Sequence, residues 1–213
     1  MTALGNPAEW TEKFRSFDVQ FLECVTAVWP ECLSRLQNQP LEDEITTNLV
    51  DLLEKNPLAR QMFHWIEYQY EPFGRMSGGK AYSKGQIDIA VFLDRERERY
   101  LAYECKRLNV ESDGSIRSLA ARYIMEGVNR FVTEQYAENL PVGCMLGYVM
   151  NGKVPVVQSK ICAAIRIKSD RIGLTKGPVE EKPLGDAKRF SSHHIRTGSG
   201  TEIEIRHALL PFS

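Results

Sequence analysis

The chain has 213 residues, 43% of them hydrophobic, which is enough for one domain with a sizeable core and a helical extension. Its formal net charge of −1 excludes a broadly basic nucleic-acid-binding protein, so any DNA-binding surface must be local. The sequence has no apolar run of bilayer length and no secretory signal pattern, so we expect a cytoplasmic protein without a membrane span.

Helical spacing of apolar residues predicts a first helix over residues 7–36, with Pro30 kinking or ending it. Its aromatic residues Trp10, Phe14, Phe17 and Phe21 recur along this segment. A second helix is predicted over 41–55. We therefore divide the chain into an N-terminal helical extension, residues 1–38, that packs on a core domain formed by residues 39–213.

The sequence of the core domain predicts a series of strands and helices. Strands are predicted over 65–73, 86–93, 100–108, 142–150, 189–196 and 202–210, helices over 115–138 and 156–166, and loops over 74–85 and 173–185. The loop over 74–85 is basic and flexible. This order predicts an α/β fold with a mixed central sheet flanked by helices.

Charged residues interrupt two of the apolar strands. Asp88 lies within one, and Glu104 and Lys106 lie within the next. Because side chains alternate across a strand, Glu104 and Lys106 share a face and Cys105 points the other way, into the core. A hairpin between the two strands would bring Asp88 close to Glu104.

Two carboxylates and an amine on one patch suit the hydrolysis of a phosphodiester. Carboxylates are hard oxygen ligands for Mg²⁺, with Mn²⁺ as a substitute. A lysine beside the metal can orient or deprotonate the attacking water, or stabilise negative charge. The structural alternative is a solvated Glu104–Lys106 ion pair with Asp88 capping a turn. Burying three unpaired charges would cost several kcal/mol, which argues against that alternative.

The five cysteines form no CxxC pair, which favours reduced thiols over a zinc site.

Asp88, Glu104-Cys105-Lys106 and an upstream helical glutamate together resemble the PD-(D/E)xK, or restriction-endonuclease-like, nuclease core. The similar segment runs from about residue 41 to 150, and the usual proline before the first acid is absent. The resemblance implies a restriction-endonuclease-like core in which Asp88 and Glu104 bind metal and Lys106 positions water.

In that family a glutamate from the preceding helix often completes the metal site. Glu42, Asp43 and Glu44 are the candidates. Glu42 shares the packed face of the helix with Ile45 and is preferred, with Glu44 second. The alternative is that the acidic cluster merely favours the positive helix N-terminus.

Further residues are candidates for substrate binding, each with a structural alternative. Gln86 lies on the side of Asp88 and could bind water or phosphate, or be a plain strand residue. Lys84, with Arg75 and Lys80, would grip DNA backbone from the basic loop, or be solvated loop charge.

Two later segments also resemble PD-(D/E)xK proteins of bacterial anti-phage and restriction systems. One contains Tyr123, Gly127, Arg130 and Phe131, where Gly127 would allow close helix packing and Arg130 could reach phosphate or a metal-binding carboxylate. The other is a Ser-x-His-x-Arg element whose members share a strand face and could contact phosphate or support the site, or be ordinary strand polarity. Its members are Ser192, His194 and Arg196.

These observations predict a Mg²⁺-dependent endodeoxyribonuclease, an effector of bacterial anti-phage defence. One rival is a non-catalytic or partner-regulated DNA-binding subunit on the same fold, in which the aromatic N-terminal helix docks a helicase or ATPase partner or a second copy in a homodimer. The other rival is a nuclease acting on RNA or branched DNA.

Overall fold

A large seven-stranded sheet forms the centre of the protein. The computed structural model describes residues 7–112 and 114–212, and all statements of structure below refer to these residues. The helices are α1 Pro7–Arg35, α2 Glu42–Lys55, α3 Pro57–Met62, α4 Ala120–Tyr123, a π-helical turn Ile124–Val128, α5 Asn129–Val132 and α6 Val154–Ile167. The strands are β1 Trp65–Tyr70, β2 Phe73–Arg75, β3 Ala81–Ser83, β4 Ile87–Phe92, β5 Tyr100–Leu108, β6 Val110–Ser112, β7 Ser115–Arg117, β8 Val142–Val149, β9 Leu174–Leu184, β10 Ala187–Ile195 and β11 Glu202–Pro211.

The sheet has the strand order β1-β4-β5-β8-β11-β10-β9. Strand β8 is parallel to both β5 and β11, and the remaining neighbours are antiparallel. The central strands are buried on both faces, which explains why β8 is an unbroken apolar run. The predicted α/β class with a mixed, helix-flanked sheet is confirmed.

Helices cover both faces of this sheet. On one face, the Phe21 ring of α1 contacts Tyr103 at a centroid distance of 4.8 Å, and Trp29 stacks on Tyr148 at 5.7 Å. On the other face, the π-helical turn approaches so closely that a Cβ at Gly127 would collide with Met145. The close packing predicted for Gly127 is confirmed. None of the helices in the described ranges is long and apolar enough to cross a bilayer.

The N-terminal helix uses its aromatic residues inside the chain. Phe14 and Phe21 are buried, and Phe17 packs against Phe63. The helix runs to Arg35, which confirms the predicted span, and of the two effects predicted for Pro30 the structure excludes that it ends the helix. Phe14, Phe17 and Phe21 therefore contribute to packing within the chain.

The single helix predicted over 115–138 is wrong. The segment forms strand β7, the short helices α4 and α5 and the π-helical turn between them, followed by turns. Leu119 has a left-handed backbone, with φ of 56°, immediately before α4. That conformation is incompatible with a continuous helix, so the apolar periodicity here reflects packing on the sheet.

Two predicted loops contain strands. Residues 74–85 include β2 and β3, which form a small hairpin, and the first strand ends at Tyr70 rather than Phe73. Residues 174–184 form β9, the outermost strand of the sheet, where Pro178 and Pro183 are tolerated because an edge strand does not need every N–H for its neighbour.

Candidate active site

The strands β4 and β5 separate at the end where the charged residues lie. Their pairing runs from Phe92 opposite Tyr100 to Ile89 opposite Tyr103. Beyond it, the N–H of Cys105 donates to the Asp88 carboxylate at 2.6 Å.

Two residues further along β5, the N–H of Arg107 donates to the Glu42 carboxylate at 2.8 Å. N–H groups of alternate residues point to the same side of a strand. The Asp88 and Glu42 carboxylates therefore replace β4 as acceptors along this end of β5, which brings both of them to the strand that carries Glu104 and Lys106.

The ammonium group of Lys106 lies among three carboxylates. Its Nζ is 2.7 Å from Glu104 Oε1, 3.0 Å from Glu42 Oε1 and 4.0 Å from Asp88 Oδ2. Lys106 also donates to the Cys105 carbonyl at 2.7 Å. The structure thus brings together all four residues proposed from sequence for the catalytic and metal-binding roles.

Burial of this cluster shifts the proton affinities of its members. Desolvation raises the pKa of Glu104 to about 7, with the Asp88 carboxylate adding to the rise and Lys106 opposing it. Desolvation raises the pKa of Asp88 to about 6, against the attraction of Lys106. Burial alone would lower the pKa of Lys106, but Glu104, Asp88 and Glu42 outweigh it and raise that pKa above its ordinary value. Lys106 therefore stays protonated at neutral pH.

Glu42 and Glu44, the two helical glutamates considered for the metal site, have different contacts in the structure. Glu42 reaches β5 through both of its carboxylate oxygens. Glu44 instead accepts from the N–H of Leu41 at 2.6 Å and so caps the start of its own helix α2. The geometry favours Glu42, because only Glu42 contacts Lys106.

Arg130 borders the cluster on the opposite side. Its guanidinium lies 3.0 Å from Glu104 Oε1, and it donates to the Tyr136 hydroxyl at 2.5 Å. The Tyr136 hydroxyl donates in turn to the Gln86 carbonyl. Sequence reasoning missed Tyr136, which carries no motif and becomes relevant only because the chain turns back after α5.

Gln86 and Lys84, two candidates for substrate binding, lie just before β4 in the chain. Gln86 is exposed immediately before β4. Lys84 forms an ion pair with Glu138, which follows α5. This pair ties the β2–β3 hairpin to the segment that contains Tyr136.

Ser192, His194 and Arg196 are all buried, so of the two roles predicted for them, contact with phosphate or support of the site, the structure favours support. Arg196 donates to the carbonyls of Ala137 and Leu140 at 2.7 and 2.8 Å. It therefore holds the segment after α5, next to the pair of Lys84 and Glu138, and its contribution to the site is support.

Ser192 and His194 belong to a buried chain of hydrogen bonds with a defined direction. The Ile172 carbonyl can only accept, so His194 Nδ1 carries the proton and its Nε2 accepts from the Ser192 hydroxyl at 2.8 Å. Ser192 Oγ then accepts from His207 Nε2 at 3.0 Å, and His207 Nδ1 accepts from the Tyr123 hydroxyl at 3.0 Å. Every polar group in this chain has a partner, so its evident role is to join β10 and β11 to α4.

A second buried ionic cluster lies on the face of the sheet under α1, and sequence reasoning missed it. Asp18 accepts from Arg206 at 2.6 Å and from the Tyr103 hydroxyl at 2.6 Å, and Arg189 lies 3.4 Å away. The sequence pattern does indicate this carboxylate, because Asp18 follows Phe14 at helical spacing and therefore lies on the apolar face of α1.

The cluster around Lys106 contains three carboxylates, those of Glu42, Asp88 and Glu104. Among the described residues, no three His, Cys, Asp or Glu side chains stand close enough together to hold a metal ion as they are placed. The ammonium of Lys106 lies between the carboxylates. Glu104 Oε1 is buried and already lies 2.7 Å from Lys106 Nζ and 3.0 Å from the Arg130 guanidinium. The donor set nevertheless fits the ion, because Asp88 and Glu104 offer two carboxylates, the hard oxygen ligands that suit Mg²⁺.

Comparisons with known proteins give no relative for this chain: no protein-family model matches it. No curated protein and no solved structure matches it either.

Proposed function

We propose that this chain is a metal-dependent nuclease that hydrolyses DNA phosphodiester bonds, with a restriction-endonuclease-like core. The observation that carries the proposal is the convergence of Asp88, Glu104 and Glu42 on the ammonium of Lys106, at the end of β5 where β4 has separated from it. A role in anti-phage defence is proposed from the sequence resemblance alone.

Asp88 and Glu104 would hold a divalent cation, with Glu42 in support. Magnesium suits these residues because its usual protein sites provide one or two carboxylates and leave the remaining positions to water and substrate phosphate. When bound, the metal supplies an activated water and offsets negative charge on the phosphoryl group. The raised pKa values of Asp88 and Glu104 mean that both carboxyls lose bound protons before they serve as ligands, so metal affinity rises with pH.

Lys106 acts as a charged donor in this proposal. Because its neighbours raise its pKa, it is protonated at neutral pH and does not act as the general base. Its N–H groups face Glu104, Glu42 and the Cys105 carbonyl in the metal-free protein. With metal and substrate bound, an N–H group released by a carboxylate would orient the attacking water or stabilise negative charge that develops on the phosphate oxygens. Arg130, which already faces Glu104, offers a second cation at the same edge of the site.

The test is a cleavage assay on plasmid DNA, single-stranded DNA, a four-way junction and RNA, each with Mg²⁺ and with a chelator. We expect Mg²⁺-dependent cleavage that Asp88→Ala and Lys106→Ala each abolish while the circular dichroism spectrum is unchanged. Asp94→Asn is the matched control, since Asp94 lies beyond the opposite end of β4. Cleavage by Asp88→Ala at the wild-type rate would refute the assignment.

A second candidate is a non-catalytic DNA-binding or assembly subunit on the same fold. It is favoured by one observation: the charge of Lys106 is already matched by carboxylates, as in a structural ion-pair network. In that case Mg²⁺ would neither stabilise the folded protein nor support cleavage of any substrate, although DNA would still bind.

A further inference from the structure

The β2–β3 hairpin, Phe73–Ser83, carries an aromatic ring that is held in place by a glycine. Gly74 pairs with Tyr82 across the hairpin, and a Cβ at position 74 would come within 2.5 Å of the Tyr82 ring. The ring therefore lies directly on the backbone of the opposite strand. Tyr82 is nevertheless 43% exposed. It is a preformed flat surface whose orientation is set before any ligand arrives.

The same hairpin exposes other large apolar side chains and carries only positive charge. Phe73 is 68% exposed and Met76 is 54% exposed. Between Glu71 and Asp88 the sequence contains three basic residues and no acidic one, in a chain whose net charge is −1. Lys84 is paired with Glu138, and the other two, Arg75 and Lys80, are exposed. Exposed apolar side chains beside this positive charge suit a ligand that is both anionic and aromatic, and a nucleic-acid strand has both properties.

Contacts fix the base of the hairpin to the candidate active site. Lys84 pairs with Glu138, and a Cβ at Gly85 would collide with Gln135, so the chain after β3 lies tightly against the segment that follows α5. From there Tyr136 contacts Arg130, which faces Glu104. Moreover, β4 begins immediately after this base, at the end of the strand that holds Asp88.

We infer that the β2–β3 hairpin is a nucleic-acid-binding element that stacks an unpaired base on Tyr82, so that the preferred substrate has single-stranded character beside the scissile phosphate. This inference rests on the proposed nuclease function. Stacking on an aromatic ring tolerates any base but requires that the base be unpaired or displaced from the helix. Basic side chains of the hairpin add contacts to the backbone that do not depend on sequence.

The experiment measures binding of the full chain, in chelator, to four fluorescent oligonucleotides by anisotropy. The probes are a mixed-sequence DNA single strand, the RNA of the same sequence, the blunt DNA duplex and that duplex with a single-stranded flap. The variants are Tyr82→Ala, Tyr82→Leu and Tyr82→Phe. The matched control is Ile167→Ala, which removes an 81% exposed apolar side chain at the end of α6.

We expect Tyr82→Ala to weaken binding of the single strands and the flap by about fivefold or more, and to affect the blunt duplex less. Tyr82→Leu should resemble Tyr82→Ala, because leucine keeps apolar surface but has no ring face. Tyr82→Phe and Ile167→Ala should bind like the wild type. The two single strands tell whether the site prefers DNA or RNA, and either preference agrees with stacking on Tyr82.

Three results would overturn the inference: no binding of any probe, an equal loss for single strand and blunt duplex, or full binding by Tyr82→Leu or Tyr82→Ala. The last result would mean that the hairpin serves another kind of partner. Cleavage assays run in parallel separate the two proposals. If Asp88 is needed for cleavage but Tyr82 is not needed for binding, only the hairpin inference fails. If Tyr82 is needed for binding but nothing is cleaved, the nuclease proposal fails, and with it the statement about the scissile phosphate, while the role of the hairpin in nucleic-acid binding stands.

Discussion

Replacing Glu104 by glutamine should stabilise the metal-free protein at alkaline pH. The Glu104 carboxyl is fully buried, and burial raises its pKa from the ordinary 4.5 to about 7. A carboxyl whose pKa is higher in the folded state binds more protons there. The protonated carboxyl therefore contributes its full stabilisation below pH 4.5, and this stabilisation is lost as the pH rises to about 7 and the buried group ionises.

The size of the effect follows from that shift. At 1.36 kcal/mol per pKa unit, a rise from 4.5 to about 7 corresponds to about 3 kcal/mol of folding free energy lost above neutral pH. Glutamine has nearly the same shape and is neutral at every pH, so Glu104→Gln does not bear this cost. Lys106 keeps Glu42 and Asp88 as partners in the variant. We expect the variant to gain up to about 3 kcal/mol at about pH 8 and almost nothing at about pH 4.

Urea denaturation in chelator across this pH range measures the difference. Glu126→Gln is the control, since Glu126 is an exposed partner of Arg122 and a surface pair contributes about 0–1 kcal/mol. A variant that is less stable than the wild type at about pH 8, or that keeps the wild-type pH dependence, would refute the reasoning. Adding Mg²⁺ should reduce the difference in free energy of unfolding between Glu104→Gln and the wild type, because a ligand that binds only the folded wild type stabilises it.

Two further predictions concern the buried networks. Asp18→Ala leaves Arg206 and Arg189 without their shared carboxylate and should lower the free energy of unfolding by about 3–5 kcal/mol in urea denaturation; a loss below about 1 kcal/mol would show that the cluster is not needed. His194 has its pKa lowered by burial to about 4, so relative to His194→Gln the wild type should lose stability as the pH falls from 6.5 to about 4, since the unfolded chain takes up that proton first. Parallel pH profiles of the two proteins would contradict this.

Local sequence was sufficient for the part of the site that lies on β5. Strand alternation alone places Glu104 and Lys106 on one face and Cys105 on the other, and the structure confirms it. The helical face of α2 likewise favoured Glu42 over Glu44. Both inferences concern the face on which a side chain lies, and the periodicity of a single element decides that.

Other features depend on neighbours that are distant in the sequence. Residues 174–184 form a strand despite two prolines, because they lie at the edge of the sheet beside β10. Ser192 and His194 look like an exposed strand face, yet His207 and Tyr123 bury them. Burial and hydrogen-bond partners across elements are not encoded in local periodicity.

The amino-acid sequence by itself singled out Asp88, Glu104 and Lys106 as candidates and determined which strand face presents Glu104 and Lys106. Only the tertiary structure decided that β4 and β5 separate at Asp88, that Glu42 and Asp88 take the N–H groups left free on β5, and that Lys106 lies between the carboxylates. The physical reason is that a carboxylate can replace a strand as hydrogen-bond acceptor only where the fold brings the two together.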